Sequence, residues 1–419
     1  MLWMPAAARA AMITEFGAVG DGRKLNTAAI QKAIDECARQ GGTVHFPPGV
    51  YLSGTLVLRS NVFLHLEPGA VLRGSASLKD YPEHVPAFRS FTDTYTGKSL
   101  IYAEKIENAG ILGQGAIDGQ GKSFEGPYKV RPYLIRVISS KDITVRDVTI
   151  RDSPMWVQHY LDCDNVAIRG ITVHSLVNHN NDGIDIDCCD RVRISDCDIV
   201  SGDDAIVLKS TANRVCRNVV VTNCVLSTRC NALKMGTESN GGFENITISN
   251  CTVYDTRLAG IALEIVDGGL MDGIHVSGIT MDGVGAPIFI RLGNRARPFQ
   301  EGGPKPGVGS MRNIIIRDVQ ARRCSVTGCA ISGIPGHKIE NVTLESIRLR
   351  FDGGGTSADL SRQAPENEDG YPEYKMFGTL PAYGLFVRHV KGLRLRDVEL
   401  TTAAPDARPP TVFDDAGTA

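Results

Sequence analysis

Asp203-Asp204, set in SGDDAIVLK, follows Asp182 of NNDGIDID by 21 residues. Three carboxylates on one short stretch of chain repel one another and cost stability. Such an arrangement persists where something must be protonated, deprotonated or bound. Single-displacement cleavage of a glycosidic bond needs this set: two carboxylates that hold and activate a water, and a third, protonated acid across the bond, about 6.5–9.5 Å away. Like charges nearby also help keep one carboxyl protonated near neutral pH.

The spacing points to the elements that position these acids. A unit of apolar-x-apolar, two polar or small residues, then an apolar residue or Cys starts at Ile143, Val166, Val192, Val219, Ile246, Ile274, Ile314, Val342 and Leu393. Successive starts lie 23, 26, 27, 27, 28, 40, 28 and 51 residues apart. A period in the twenties built from short alternating strands predicts an all-β fold, a β-solenoid of parallel coils. A second strand in each unit reads GIDID, AIVLK, ALKMG, GIALE and PIFIR. It aligns Ile184, Ile206, Leu233, Ile261 and Ile288 as one inward ladder, and Ile186, Leu208, Met235, Leu263 and Ile290 as another. The same alignment puts Asp182, Asp204 and Asn231 at one phase on three coils. Neighbouring strands lie about 4.8 Å apart, so Asp182 and Asp204 should face each other while Asp203, one residue earlier, aims elsewhere.

The two long spacings mark Gly/Pro-rich loops at 292–312 and about 352–382. Near the start, NTAAIQKAIDECARQGG predicts a helix capping the open end, with Asn26 and Thr27 as capping candidates and Gly41 as its stop. The expected organisation is one elongated domain over 13–405, with 406–419 a tail. Residues 1–12 are the expected remnant of an export signal, because Ala8-Arg9-Ala10 fits the small-x-small cleavage pattern. A secreted or periplasmic protein follows from that reading, a cytoplasmic one from a plain disordered start.

Composition bounds the function. Aromatics make up 6% of the chain, Gly contributes 45 residues, and the net charge is −2. No basic surface argues for nucleic acid and no apolar run of about 20 residues for a membrane span. The 11 cysteines show no zinc-like spacing. Cys197, Cys224 and Cys251 share one phase of the repeat, which predicts a buried ladder rather than disulfides.

Other readings of the acids stand beside hydrolysis. Calcium could be bound by Asp182 and Asp204 with Asp185 or Asp187, as in a calcium-dependent β-helix lyase. Such a lyase also needs a Lys or Arg base, and the alignment brings no cation to the triad. A non-catalytic carbohydrate-binding β-helix needs no protonated acid at all. Asp187 with Lys209 and Glu264 with Arg291 are aligned as ion pairs across coils. Lys234 either contacts substrate or neutralises the acids. Together Asn181, Asn231, Lys209, Lys234, Glu264 and Arg291 are the candidates for contact with substrate, with no metal or cofactor expected.

FGAVGDG near the N-terminus, NNDGID, GDD and the β-solenoid together resemble glycoside hydrolase family 28, the polygalacturonases and rhamnogalacturonases, from about Phe16 to Leu400. The resemblance implies a right-handed parallel β-helix and hydrolysis of pectic polysaccharide with inversion. It implies that Asp203 is the general acid, and that Asp182 and Asp204 position the water. The chain also departs from the polygalacturonase pattern. Gly-His-Gly is replaced by Cys230-Asn231-Ala232, and Arg-Ile-Lys, the usual grip on a galacturonate carboxylate, by Ala262-Leu263-Glu264. A carboxylate in place of that Lys would repel a uronate, so the departure points to a sugar without a carboxylate at that position, as in a rhamnogalacturonan-type substrate, with Arg291, Asn294 and Arg295 either supplying replacement contacts or, for the arginines, lying on a plain surface loop. Tyr371, Tyr374, Phe377 and Tyr383 in or beside the second loop either stack on sugar or pack the loop down. A loop that blocks one cleft end would make the enzyme exo-acting.

Overall fold

The structure, a computed structural model, describes residues 9–418. The alternation in each repeat produces what the pleat requires: apolar residues point inward on every coil and the coils stack in parallel. Each coil contributes strands to three faces. One face stacks Lys141–Arg146, Asp164–Arg169, Asp190–Ser195, Cys216–Thr222 and Phe243–Ser249. A second stacks Thr149–Arg151, Thr172–Ser175, Asp198–Ser201 and Val225–Thr228. The third carries the acids, in Tyr133–Ile138, Gln158–Leu161, Ile184–Asp187, Ile206–Ser210 and Leu233–Ser239. From Thr252 the corners straighten, and Thr252–Ile265 and Leu270–Leu292 each run through more than one face. The chain is a right-handed parallel β-helix, the hand that crossovers between parallel strands take.

The ladders expected from alignment are present. Ile184 pairs Ile206, which pairs Leu233, then Ile261, then Ile288, and all five are buried. Each such side chain contributes about 1.5–3 kcal/mol through burial. Cys197, Cys224 and Cys251 form the buried ladder between Ile171 and Ile279. No disulfide joins the cysteines among the described residues.

The helix Thr27–Cys37 buries Ile30, Ala33, Ile34 and Cys37 against the first strands. Its start is held differently from the expected cap. Asn26 bonds Val19 and the Lys24 carbonyl, and the Thr27 hydroxyl accepts from Gly54 N–H. Strands also lie outside the 13–405 span. Arg9–Met12 pairs Gly42–Phe46, and Thr411–Thr418 pairs Leu385–Thr402. Residues 1–8 of the expected export signal are outside the described residues.

Both long spacings are loops. The second contains one short helical turn, Ser357–Leu360. Its Tyr374, Phe377 and Leu380 pack on Ala262, Phe289, Ala330 and Phe386 of the third face.

Candidate active site

Backbone pairing sets the acids in register. Gly183 N–H donates to Asp204 O at 2.8 Å and Ala205 N–H to Asn231 O at 2.9 Å. Asp182, Asp204 and Asn231 therefore occupy one phase on consecutive coils, as the spacing predicts. Asn231 donates to Asp204 Oδ1 from its amide side chain at 2.8 Å and its backbone N–H at 3.1 Å. Asp203 Oδ1 accepts from Asp204 N–H at 2.9 Å, and Oδ2 from Asn180 Nδ2 at 3.4 Å. Oxygens of Asp203 and Asp204 and the Cys230 sulfur all lie within 4.8 Å of one another.

The triad is not free of cations, contrary to the alignment. Lys234 Nζ lies 3.0 Å from Asp204 Oδ2, and Lys209 Nζ 3.6 Å from Asp182 Oδ2. Register assigns neighbours by backbone, but a lysine stem is long enough to cross one 4.8 Å rung. Lys209 thus leaves its register partner Asp187 and reaches Asp182, Asp185 at 3.5 Å and Glu238 at 3.8 Å, with Trp156 beneath it at 4.6 Å. Asp187 instead accepts from Thr211 N–H at 2.9 Å and the Thr211 hydroxyl at 2.6 Å, and lies 3.1 Å from His159 Nε2. Asp187 is therefore not available as a calcium ligand, and an ammonium already sits between Asp182 and Asp185.

Three more candidates are placed otherwise than expected. Asn181 is buried and donates to Ser153 O at 2.7 Å and Met155 O at 3.1 Å, so it braces the turn beneath Asp182. Arg291 is the register neighbour of Glu264 but does not pair with it. Its guanidinium donates to Ser332 Oγ, Gly333 O, Glu366 O and Asn367 O, pinning the second loop. Glu264 faces Lys234 instead, at 3.8 Å. Asn294 uses its N–H on Glu368 O at 2.6 Å. Of the loop aromatics, Tyr374 and Phe377 are core to the loop and Tyr383 donates to Leu400 O, whereas Tyr371 is 59% exposed beside the acids. Its ring lies 5.8 Å from Lys234 Nζ and 5.5 Å from the Arg295 guanidinium.

Alignment alone missed Glu238 and Arg297. After Met235 the strand gains two residues, so Ser210 pairs Ser239, and the extra length carries Glu238 to Lys209. Arg297 pairs with Glu238 and stacks on Phe91 at 4.2 Å, joining the first loop to the segment Ser90–Tyr95. Arg295 is bidentate on Asp267. The sequence signals the arginines, three within the seven residues of 291–297, but not the bulge, because Met235 to Ile246 spans the same 11 residues as Leu208 to Val219.

The electrostatics separate two adjacent acids. Burial and the Asp204 charge push the Asp203 carboxyl above the usual carboxylate range. Burial alone would raise Asp204 too, but Lys234, Lys209 and the Asn231 amide hold it below that range. Asp182 is pushed up by burial, Asp185 and Asp203, against Lys209. Glu238, despite burial, is held at about 2 by Lys209, Arg297 and Arg295. Both lysines remain firmly protonated, because the surrounding carboxylates outweigh burial. Neither can serve as a lyase base.

The profile of the family described as "Glycosyl hydrolases family 28" matches residues 75–366. The chain is 34% identical over 224 residues to a "Probable polygalacturonase" of Vitis vinifera, covering 48% of this chain and 45% of that protein. It is 40% identical over 116 residues to an "Exo-poly-alpha-D-galacturonosidase" of Dickeya chrysanthemi, covering 26% of this chain and 19% of that one. The matched stretches thus span less than half the length of these curated relatives. The fold is that of an exopolygalacturonase from Thermotoga maritima, with a TM-score of 0.73 and 20% identity over 94% of this chain and 91% of that one.

Proposed function

Because the chain belongs to glycosyl hydrolase family 28, we propose that it hydrolyses pectic chains from one end, releasing short galacturonate units with inversion at the anomeric carbon. The opposite protonation bias of neighbouring Asp203 and Asp204 carries this reading. Asp203, protonated, donates its proton to the glycosidic oxygen as that bond breaks. Asp204, ionised, takes a proton from a water held with Asp182, and the water oxygen bonds the anomeric carbon from the opposite face. Lys234 and Asn231 keep Asp204 in its ionised form and fixed in place.

Closure of the cleft supports action at a chain end. On the C-terminal side Tyr374, Phe377 and Leu380 cover the sheet beyond Lys234. On the N-terminal side Arg136 holds the segment carrying Thr92 and Thr96 over the sheet. A site walled at both ends admits a terminus more readily than a running polymer. Relatives named polygalacturonase and exo-poly-alpha-D-galacturonosidase favour an anionic sugar over the neutral one suggested by the missing Arg-Ile-Lys, while the four cations beside the acids, Lys209, Lys234, Arg295 and Arg297, are each paired with a carboxylate. A secreted or periplasmic location goes with a polymeric substrate and with the Ala-rich opening of the chain, and fractionation of the producing cells tests it.

Incubation with polygalacturonan, oligogalacturonides and rhamnogalacturonan, with products resolved by size and anomer, tests the whole reading. Short uronides from the first minutes, released as the inverted anomer, are expected. Mid-length products would break the end-acting claim, and rhamnogalacturonan as the sole substrate would break the sugar assignment. Unsaturated products suppressed by chelator would replace hydrolysis with elimination. Binding with no cleavage at any pH would leave a carbohydrate-binding module.

A further inference from the structure

A second group of metal-ligating side chains lies on the first face, away from the acids. Near the N-terminal end of that face, Gly42–Phe46 stacks on Val62–Leu66, which leads through Glu107–Gly113 to Lys141–Arg146. Val44, Phe46, Leu64 and Leu66 point inward and are buried. Alternation therefore sends His45 and His65 outward, opposite each other in register. Their Nδ1 atoms lie 3.2 Å apart, with the rings at 86°. Glu67 follows two residues after His65. Its N–H donates to Phe46 O at 3.0 Å, and its Oε1 lies 3.6 Å from His45 Nδ1. Side-chain exposures of 24% for His45 and 34% for Glu67 leave the group open to ions from solvent. The His65 ring is also fixed from its far side. A Cβ at Gly113 would lie 2.8 Å from His65 Cδ2, so a glycine there lets that edge of the ring rest on the next coil and turns Nδ1 back toward His45.

Two imidazoles whose Nδ1 atoms converge hold either a shared proton or a cation between them. Zinc bonds of 2.0–2.1 Å at the tetrahedral angle set two ligand nitrogens about 3.3–3.4 Å apart, close to the spacing here. We propose that His45, His65 and Glu67 bind a zinc ion through both Nδ1 atoms and the Glu67 carboxylate, with water in the fourth position. Imidazole paired with carboxylate suits zinc, nickel or copper, whereas calcium and magnesium call for oxygen ligands. Among the described residues no third imidazole, thiol or carboxylate atom lies within 4.8 Å of both nitrogens, so the part-exposed Glu67 side chain swings toward His65 as the ion enters. The helix Thr27–Cys37 packs on the strand of His45. The ion thus ties two neighbouring coils beside the capping helix, near the end of the solenoid, and takes no part in hydrolysis on the third face.

The test titrates zinc chloride into tag-free, chelator-stripped protein by calorimetry, with melting curves over the same zinc range. Saturable binding of one ion at this group is expected, with a melting temperature that climbs as zinc is added. Nickel should compete for the site, and calcium and magnesium should not. His45→Ala and His65→Ala should each abolish both the binding and the climb, while Glu67→Gln should weaken them less. Melting curves without metal separate loss of the site from misfolding, and His45→Asn and His65→Asn, which keep a polar side chain, repeat the test if an Ala protein fails to fold. Absence of saturable zinc binding would leave the imidazoles sharing a proton and overturn the proposal. Zinc binding that survives loss of either histidine would overturn it too, and would place the ion elsewhere, as at Asp203, Asp204 and Cys230, where it should slow turnover. Hydrolysis by the intact enzyme should be the same with His65→Ala as without it, so failure of the hydrolase reading leaves this measurement untouched.

Discussion

The outward side of the third face divides into two halves built on the same backbone. On the N-terminal half, the outward rungs carry Asp185, Asp187, Lys209 and Lys234, with Asp182 and Asp204 at the strand starts. On the C-terminal half the same row becomes Ala262, Phe289, Ala330 and Phe386, sealed under the second loop. Beneath both runs an unbroken apolar ladder. The difference teaches that the solenoid's core is indifferent to what it displays. One stretch of sheet is left as a charged pocket and the next is spent on holding the wall that ends it.

The sharpest way to separate the halves is Asp203→Asn, which removes the proposed proton donor alone. Turnover should fall by about 10²–10⁴-fold while the melting curve stays in place, since the Asp203 carboxyl is held by no more than Asn180, its neighbour's N–H and the Cys230 thiol. Phe289→Ala attacks the other half. Filling lost beneath Phe377 and Tyr374 should cost about 3–5 kcal/mol, read by chemical denaturation. The loosened wall should let longer products appear in early digests. Lys234→Met lies on the boundary. Without this ammonium Asp204 becomes harder to ionise, so the acid limb of kcat/KM should move to higher pH, and kcat should drop about ten- to a hundredfold. The smallest effect is expected for Cys230→Ala. The thiol's hydrogen bond lowers Asp203, so losing it should move the alkaline limb of kcat upward by about one pH unit or less.

Much of this was legible in the chain. Alternation and a period in the twenties are direct records of inward and outward positions, so the ladders from Ile184 to Ile288 and the Asp182–Asp204–Asn231 register could be counted off. Asp203 as the offset acid followed from the same count. The cations did not, because a lysine's position in the register says where its Cα sits and not which rung its ammonium reaches. Lys209 belongs by register to Asp187 and by contact to Asp182 and Asp185. Arg291 looked like a partner for Glu264 and is a post for the loop. Asn181 looked like a hand toward substrate and is a brace under the turn.

The sequence by itself determined the coil, its register and the three acids, because β-structure writes a two-residue period and a stacked solenoid repeats it at a fixed interval. Only the tertiary structure decided how those acids are charged and how far the cleft extends. Loops far along the chain fold back onto the face: Arg297 reaches Glu238 and Phe91, and Phe377 reaches Phe289. The protonation state of a buried carboxyl depends on burial and on every charge within a few ångströms, whatever its distance in sequence. No period encodes those neighbours.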